Sequence, residues 1–276
     1  MRNTFYLSTH TLQRLKDVQA LLDQLQPEGQ PQAFVVPGGP EPRGNVIIFP
    51  GSFNPPTTAH IALLKQAREF ARIHEPMTLY AAFSKRTIDK EAVERPLLLD
   101  RIVLLDDILR KRLPHAGILL FNRGLYVEQA EAMQQSFPRV KRILFLLGFD
   151  KIVQILDPHY YQDRDTSLTE LFKRAELLVA PRGSAGEKEL AELIQQAQNR
   201  RFARFIRPLP FNAAYRNISS TAVRQGAREH TSEIPQEARL FIQKTRAYAP
   251  ALERSDGSQI DYYGLRMHHL QHLLYQ

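Results

Sequence analysis

The organisation of this chain follows from one segment, Gly51-Ser52-Phe53-Asn54-Pro55-Pro56-Thr57-Thr58-Ala59-His60. The segment directly follows an apolar run over residues 46–49 and leads into a helical pattern over residues 60–73. A buried strand is therefore predicted to enter a tight Gly/Asn/Pro turn, after which a helix begins with Thr, Thr and His. Backbone N–H groups, hydroxyls and an imidazole then meet at the positive end of a helix, and such a place suits a phosphate group.

Strand and helix patterns alternate from residue 45 onward. Apolar runs predict strands at 46–49, 77–83, 117–121, 142–147 and 176–180. Helical spacing predicts helices at 60–73, 96–112, 126–136, 150–156 and 187–199. This alternation predicts an α/β fold with a doubly wound parallel sheet. Ligands bind such sheets beyond the carboxyl ends of the strands, and both the 51–60 segment and Gly148-Phe149-Asp150 follow predicted strands.

The two ends of the chain have patterns of their own. A helical stripe covers residues 10–25, and a short strand candidate covers 33–36. Near the other end, residues 235–247 predict a closing helix, and residues 251–260 are polar and loop-like. A final amphipathic segment contains His268, His269 and His272. We expect this segment to pack on the body or on a second copy of the chain, because no carboxylate has the spacing that would complete a metal site.

The composition limits the class of protein. The 276 residues carry a formal net charge of +8, which favours anionic partners, and contain no cysteine, which excludes disulfides and a thiolate nucleophile. The basic residues are scattered and no aromatic-interleaved RNA-binding motif appears, so we do not expect a nucleic-acid partner. Nucleotide phosphates would explain part of the charge equally well. Because the chain has neither an apolar run of membrane-spanning length nor the apolar core of a secretory signal, we expect a cytoplasmic protein.

A second polar segment, Asn217-Ile218-Ser219-Ser220-Thr221-Ala222-Val223-Arg224, resembles the first in its chemistry. Three consecutive hydroxyl residues before a short helix are typical N-cap residues. Arg224 lies one helical turn beyond Ser220 and has a guanidinium suited to bidentate contact with phosphate. Alone, this segment is better explained as a helix cap. Together with the 51–60 segment, it predicts a second anion-binding site.

The two segments together resemble the nucleotidyltransferase superfamily. Gly-Ser-Phe-Asn-Pro-x-Thr-x-x-His is similar to its (H/T)xxH ATP motif, and Ile-Ser-Ser-Thr-x-x-Arg is similar to its ISSTxxR motif. The pair most resembles nicotinamide/nicotinate mononucleotide adenylyltransferases and their divergent relatives. The resemblance implies a nucleotidyltransferase domain over residues 45–248. An N-terminal extension with a helix and an edge strand would cover 1–44, and a C-terminal helical tail would cover 249–276.

The resemblance also implies an activity. The protein would transfer AMP from ATP to nicotinamide or nicotinate mononucleotide, forming NAD or deamido-NAD and releasing pyrophosphate, with Mg²⁺ bound through the ATP phosphates. His60 would contact the ATP phosphates and stabilise charge on the α-phosphoryl group, and Thr57 occupies the first position of the (H/T)xxH motif. Backbone groups of Ser52 and Phe53 would line the nucleotide cleft.

Further positions take roles from the same resemblance. Gly148 and Asp150 resemble a Gly-x-Asp whose carboxylate contacts a ribose hydroxyl, although Asp150 could also simply cap the helix that follows. Lys90 resembles a phosphate-binding lysine, with Lys85 as the competing candidate, and Arg182 resembles a position near the acceptor. The residues that would hold the departing β- and γ-phosphates are Ser219, Ser220, Thr221 and Arg224.

The chain departs from the family at the acceptor. It contains no tryptophan, whereas the nicotinamide mononucleotide enzymes sandwich the pyridine ring between aromatic residues that include Trp. The substitutes would be Phe121, Tyr126, Tyr160 or Tyr161. Two alternatives stay open: a transferase of the same fold with another phosphate acceptor, and a regulatory protein that binds or hydrolyses ATP without efficient transfer.

Overall fold

A seven-stranded, mostly parallel sheet forms the centre of the molecule. The computed structural model describes residues 9–85, 96–226 and 231–249, together with 252–253, 259–260, 262, 266 and 268. The strands of the sheet are β1 (Ala33–Val35), β2 (Gly44–Pro50), β3 (Thr78–Ser84), β4 (Gly117–Phe121), β5 (Val140–Gly148), β6 (Ala175–Ala180) and β7 (Ile206–Pro208). Their order is β1-β4-β3-β2-β5-β6-β7, and only the pair β1–β4 is antiparallel.

Helices cover both faces of this sheet. They are α1 (Thr9–Gln24), α2 (Thr58–His74), α3 (Leu98–Arg112), α4 (Tyr126–Ser136), α5 (Phe149–Leu156), α6 (Arg164–Arg174), α7 (Glu187–Gln195), α8 (Ser220–Gln225) and α9 (Gln236–Thr245). Ile47 and Phe49 of β2 pack with α1, α2, α3 and α9, whereas Val46 and Ile48 pack with α4, α5 and α6. Successive residues of a strand point to opposite faces, so β2 is buried on both sides. The predicted doubly wound α/β fold, of the Rossmann-like type, is confirmed.

The strand order reverses next to β2. From β2 the chain proceeds through β3 to β4 on one side, and then crosses to β5, which pairs with the other side of β2. The two neighbours are parallel, with Ile47 opposite Leu144. Their carboxyl ends therefore lie side by side at the switch point, where doubly wound sheets bind ligands. The 51–60 segment follows one of these strands and Gly148–Asp150 the other.

Some elements differ from the sequence patterns. The patterns predict neither α6, whose exposed face is strongly polar, nor β7, which has three residues. The helix predicted over 187–199 ends at Gln195. Within the polar stretch predicted as a loop, β8 (Leu252–Glu253) pairs with β9 (Gln259–Ile260). Short or polar elements are stabilised by contacts with neighbouring elements of the fold. Their own sequences therefore predict them poorly.

A buried carboxylate joins the C-terminal tail to the start of α3. Asp100 is only 3% exposed. It accepts hydrogen bonds from the Tyr262 hydroxyl and from Arg266, whose Nε lies 2.8 Å from Oδ2. A buried carboxylate without a counter-charge is costly, so these bonds fix the tail on α3. No helix in the described part of the chain is long and apolar enough to span a membrane.

Removing the guanidinium of this buried pair tests the docking of the tail. We expect Arg266→Ala to lower the free energy of unfolding by about 3 kcal/mol, since Asp100 would keep its charge without a counter-charge. Arg72→Ala is the matched control, because the Arg72–Glu69 pair is exposed to solvent and should contribute little to stability. Urea unfolding monitored by circular dichroism measures both. Equal losses for the two variants would contradict the docking.

Candidate active site

The turn after β2 is held by four side chains from distant parts of the chain. Arg101 Nη1 of α3 donates to the Ser52 carbonyl at 3.0 Å, and Arg224 Nη1 of α8 donates to the Asn54 carbonyl at 2.5 Å. Ser220 Oγ donates to the Pro55 carbonyl at 2.7 Å, and the Tyr248 hydroxyl donates to Asn54 Oδ1 at 2.5 Å. The two motif segments singled out in the sequence are therefore in direct contact.

Phe53 gives the turn an unusual backbone. Its φ of 42° lies in the left-handed region, which a bulky residue adopts only when its surroundings impose it. Its ring is buried and packs edge-on against Phe83 and His60, with centroid distances of 5.2 and 5.1 Å. Within the described residues, the N–H groups of Ser52 and Phe53 have no hydrogen-bond partner. They are free to serve as donors to an anion.

Thr57 and His60 form a capping box at the start of α2. Thr57 Oγ1 accepts from the His60 N–H at 3.3 Å, and His60 Nδ1 accepts from the Thr57 N–H at 3.0 Å. The imidazole thus takes the place that Glu usually has at the third position of such a box. Because Nδ1 accepts a hydrogen bond, the proton of the neutral ring is on Nε2. The Thr-x-x-His spacing therefore sets the tautomer of His60.

His60 is neutral at physiological pH. Burial, and secondarily the positive charge of Arg182, lower the pKa of His60 to about 4. Its side chain is half-buried, and both effects disfavour the imidazolium. At pH 7 the ring offers a single donor, Nε2–H, at the positive end of α2.

Asp150 and Arg182 join the loops that follow β5 and β6. Gly148 is the N-cap of α5, and Asp150 lies in the first turn of that helix without capping it. Instead, its Oδ2 pairs with Arg182 Nε at 2.7 Å. Both side chains are well exposed, so the pair adds little stability and can exchange for other partners. With Ser219, they line an open hollow on the β6 side of the switch point.

The hydroxyl residues 219–221 form the N-terminal cap and first turn of α8, as the sequence predicts. Ser219 is the N-cap and its Oγ accepts from the Ala222 N–H at 3.1 Å. Thr221 Oγ1 accepts from Arg224 Nη2 at 3.1 Å, and both side chains are exposed. The structure thus assigns Ser219 and Ser220 bonds within the protein, while Thr221 and Arg224 also reach solvent.

The structure describes only one of the two candidate phosphate-binding lysines, Lys85 and Lys90. Lys85 Nζ donates to the carbonyls of Leu22 and Leu25, at 2.7 and 2.8 Å, at the C-terminal end of α1. Lysine is favourable there because the helix end is negative. Lys85 is thus engaged in holding the N-terminal helix, a use that its sequence position does not reveal. Lys90 lies outside the described residues.

A cleft of about 270 Å³ opens on the other side of the switch point. It lies beside Gly51 and Ser52, and three of the expected aromatic residues line it: Tyr126, Tyr160 and Tyr161. Tyr161 is anchored by its hydroxyl, which donates to the Ile155 carbonyl at 2.9 Å, and burial raises the pKa of Tyr161 to about 12. Phe121 is fully buried within the sheet, in contact with the core on the α4 face, and does not line the cleft.

Arg101 is the site residue that the sequence patterns miss. It is 8% exposed, lines the cleft and bonds to the turn. Its one signal is the charged pair Asp100-Arg101 within an apolar helical stripe, and charged residues are rarely buried without a reason.

Across the described ranges, no group of three or more His, Asp or Glu side chains could hold a metal ion. His268 is exposed, and His269 and His272 lie outside those ranges.

Comparison with known proteins finds similarity to solved structures at low sequence identity. No protein-family model matches the sequence, and no curated protein matches it. A solved structure from Vibrio parahaemolyticus, provisionally named a nicotinate-nucleotide adenylyltransferase, aligns with 72% of this chain and 99% of its own, at 12% identity and a TM-score of 0.28. Similarity at this level supports no inference about activity, and the fold class rests on the strand order.

The protonation of His60 can be measured directly. We expect the ring resonances that His60→Asn removes to titrate near pH 4, and we expect Arg182→Met to raise that pKa because a nearby positive charge is lost. Arg201→Met is the control, since Arg201 pairs with Asp165. A midpoint near 6.5 in the unmodified protein would contradict the assignment.

The same pKa predicts a pH dependence of stability. The unfolded chain binds a proton at His60 below about pH 6.5, and the folded chain does so only near pH 4. The free energy of unfolding should therefore fall as the pH drops from 6.5 to 4, by a few kcal/mol at most from this residue. Denaturant unfolding across that range should show a shallower fall for His60→Asn.

Proposed function

We propose that the protein is an adenylyltransferase that transfers AMP from ATP to a phosphate-bearing acceptor. The observation that carries the proposal is the direct bonding between the 51–60 segment and the 217–224 segment, through Ser220 and Arg224, at the switch point of the sheet. Neither segment alone is specific. Together they surround one place with hydroxyl, imidazole and guanidinium groups, and such groups suit a polyphosphate.

The part of the proposed site that would bind ATP has the positive and hydrogen-bond-donating groups that phosphoryl transfer needs. His60 Nε2–H and the N–H groups of Ser52 and Phe53 are preorganised donors at the positive end of α2. Arg224 adds a fixed charge beside the same turn. Such groups stabilise charge that develops at the α-phosphorus. Mg²⁺ would arrive with the nucleotide, bound to its phosphate oxygens.

The proposed reaction needs no covalent intermediate on the protein. An oxygen of the acceptor phosphate attacks the α-phosphorus of ATP, forming a new P–O–P bond. The bond between the α-phosphorus and the bridging oxygen to the β-phosphorus breaks, and its electron pair leaves with pyrophosphate. The protein aligns the two phosphates and stabilises the charge that spreads over the α-phosphoryl oxygens.

The cleft beside Ser52 is the place where we propose that the acceptor binds. Tyr126, Tyr160 and Tyr161 offer aromatic surface without tryptophan, in a space of about 270 Å³ that adjoins the turn. Aromatic rings pack favourably against a planar base. We propose nicotinate or nicotinamide mononucleotide as the acceptor, on the strength of this cleft and the motif resemblance.

Pyrophosphate release tests the activity. The protein is incubated with ATP, Mg²⁺ and each mononucleotide in turn, and the dinucleotide is identified by mass spectrometry. We expect His60→Ala to lower kcat by about 100-fold or more, because one donor to the transition state is lost. Arg224→Ala should lower kcat/KM similarly, since the turn loses a bond as well as a charge. Arg72→Ala, on the exposed side of α2, should leave the rate unchanged.

Calorimetry with ATP distinguishes a transferase from a protein that binds ATP without transferring AMP. ATP binding with no dinucleotide from any mononucleotide would overturn the transfer proposal and favour a regulatory nucleotide-binding protein. Turnover that survives both His60→Ala and Arg224→Ala would place the chemistry elsewhere in the molecule.

A further inference from the structure

Arg101 is a buried arginine that lacks the ion pair formed by several partly buried arginines of the described chain. Arg14, Arg164 and Arg266 each form an ion pair with a carboxylate. Arg101 is more than nine-tenths buried, yet no carboxylate among the described residues lies within ion-pair distance of it. Its neighbour Asp100 is already engaged with Tyr262 and Arg266. A buried charge without a counter-charge is costly, so its presence calls for an explanation.

The guanidinium of Arg101 has unused hydrogen-bonding capacity. A guanidinium has five N–H donors. Nη1 donates to the Ser52 carbonyl, and Nε is buried with no partner in the described part of the structure. Burial lowers the pKa of Arg101 to about 10, so the group is still charged at pH 7. One bond to a carbonyl would need only a neutral donor, and that bond alone does not explain the charge.

The position of Arg101 indicates which molecule would supply an anionic partner for its guanidinium. Its side chain lines the 270 Å³ cleft with the three tyrosines, and it bonds to the residue where that cleft meets the turn. Arg224, which bonds to the same turn two residues later, repels it electrostatically. Two guanidiniums that flank one turn without carboxylates suit an anion between the cleft and the turn.

We propose that Arg101 binds the phosphate of the acceptor and holds it for attack on the α-phosphorus. This inference rests on the proposed function. Bidentate contact would orient the attacking oxygen and reduce the repulsion between two negatively charged substrates as they approach. Arg101 would thereby make the cleft selective for acceptors that carry both a phosphate and an aromatic ring.

Two substitutions separate this role from a purely structural one. Arg101→Gln keeps a donor for the Ser52 carbonyl but removes the charge, and Arg101→Lys keeps the charge but loses the bidentate geometry. We expect Arg101→Gln to raise the KM for the mononucleotide about 10- to 100-fold, the usual range for a charge-assisted hydrogen bond, with the KM for ATP within about twofold. Arg101→Lys should recover part of the loss. Melting temperatures report whether each variant is folded.

The acceptor itself supplies the second arm of the test. Nicotinate and nicotinamide mononucleotides share the phosphate, and only the former has a ring carboxylate. If Arg101 binds the phosphate, Arg101→Gln weakens both to the same extent. A loss confined to the nicotinate form would overturn the proposal in favour of a contact with the ring carboxylate. Equal increases in the KM for ATP and for the mononucleotide would overturn it in favour of a structural role.

Binding measurements distinguish this inference from the proposed function. Calorimetric titration of each mononucleotide into the unmodified protein and into Arg101→Gln requires no turnover. Weaker binding to the variant supports the role of Arg101 even if no dinucleotide forms. Undiminished binding and turnover in Arg101→Gln would overturn the role of Arg101 while leaving the transferase intact. Absence of both binding and turnover in the unmodified protein would overturn both proposals.

Discussion

The turn between β2 and α2 depends on hydrogen bonds that reach it from three other parts of the chain. Arg101 from α3, Ser220 and Arg224 at α8, and Tyr248 beyond α9 all donate to oxygens of residues 52–55. The C=O and N–H of one trans peptide point in opposite directions, so a Ser52 carbonyl held toward Arg101 directs the Phe53 N–H away from it. The turn can thus present donors on one side and lie against the aromatic cleft on the other.

The charges around this turn support the proposed binding of an anionic ligand. Arg101 and Arg224 bond to carbonyl oxygens rather than to carboxylates, and the Arg182–Asp150 pair is exposed enough to exchange partners. His60 complements them as a neutral donor, because its low pKa avoids a further positive charge in a crowded place. Preorganised positive groups of this kind lower the stability of the free protein. Binding of the proposed phosphate ligand would offset that loss.

The parts of the fold that the sequence predicts are those with strong local patterns. The strands at β2 and β5 are apolar throughout because both of their faces are buried, and the intervening helices have clear apolar stripes. α6 and β7 escape prediction because their neighbours hold them in place. The relation between Thr57 and His60 is also local, since a capping box depends only on the three-residue spacing and a helix start.

By itself, the sequence determined the α/β alternation, the turn and helix start within residues 51–60 and the hydroxyl cap at residues 219–221. Only the tertiary structure decided which charges face that turn. It placed Lys85 at the end of α1, buried Phe121 in the sheet and brought Arg101 to the cleft. The physical reason is that a helical stripe or a turn depends on near neighbours in the chain. The environment of a long charged side chain depends instead on which distant elements pack around it.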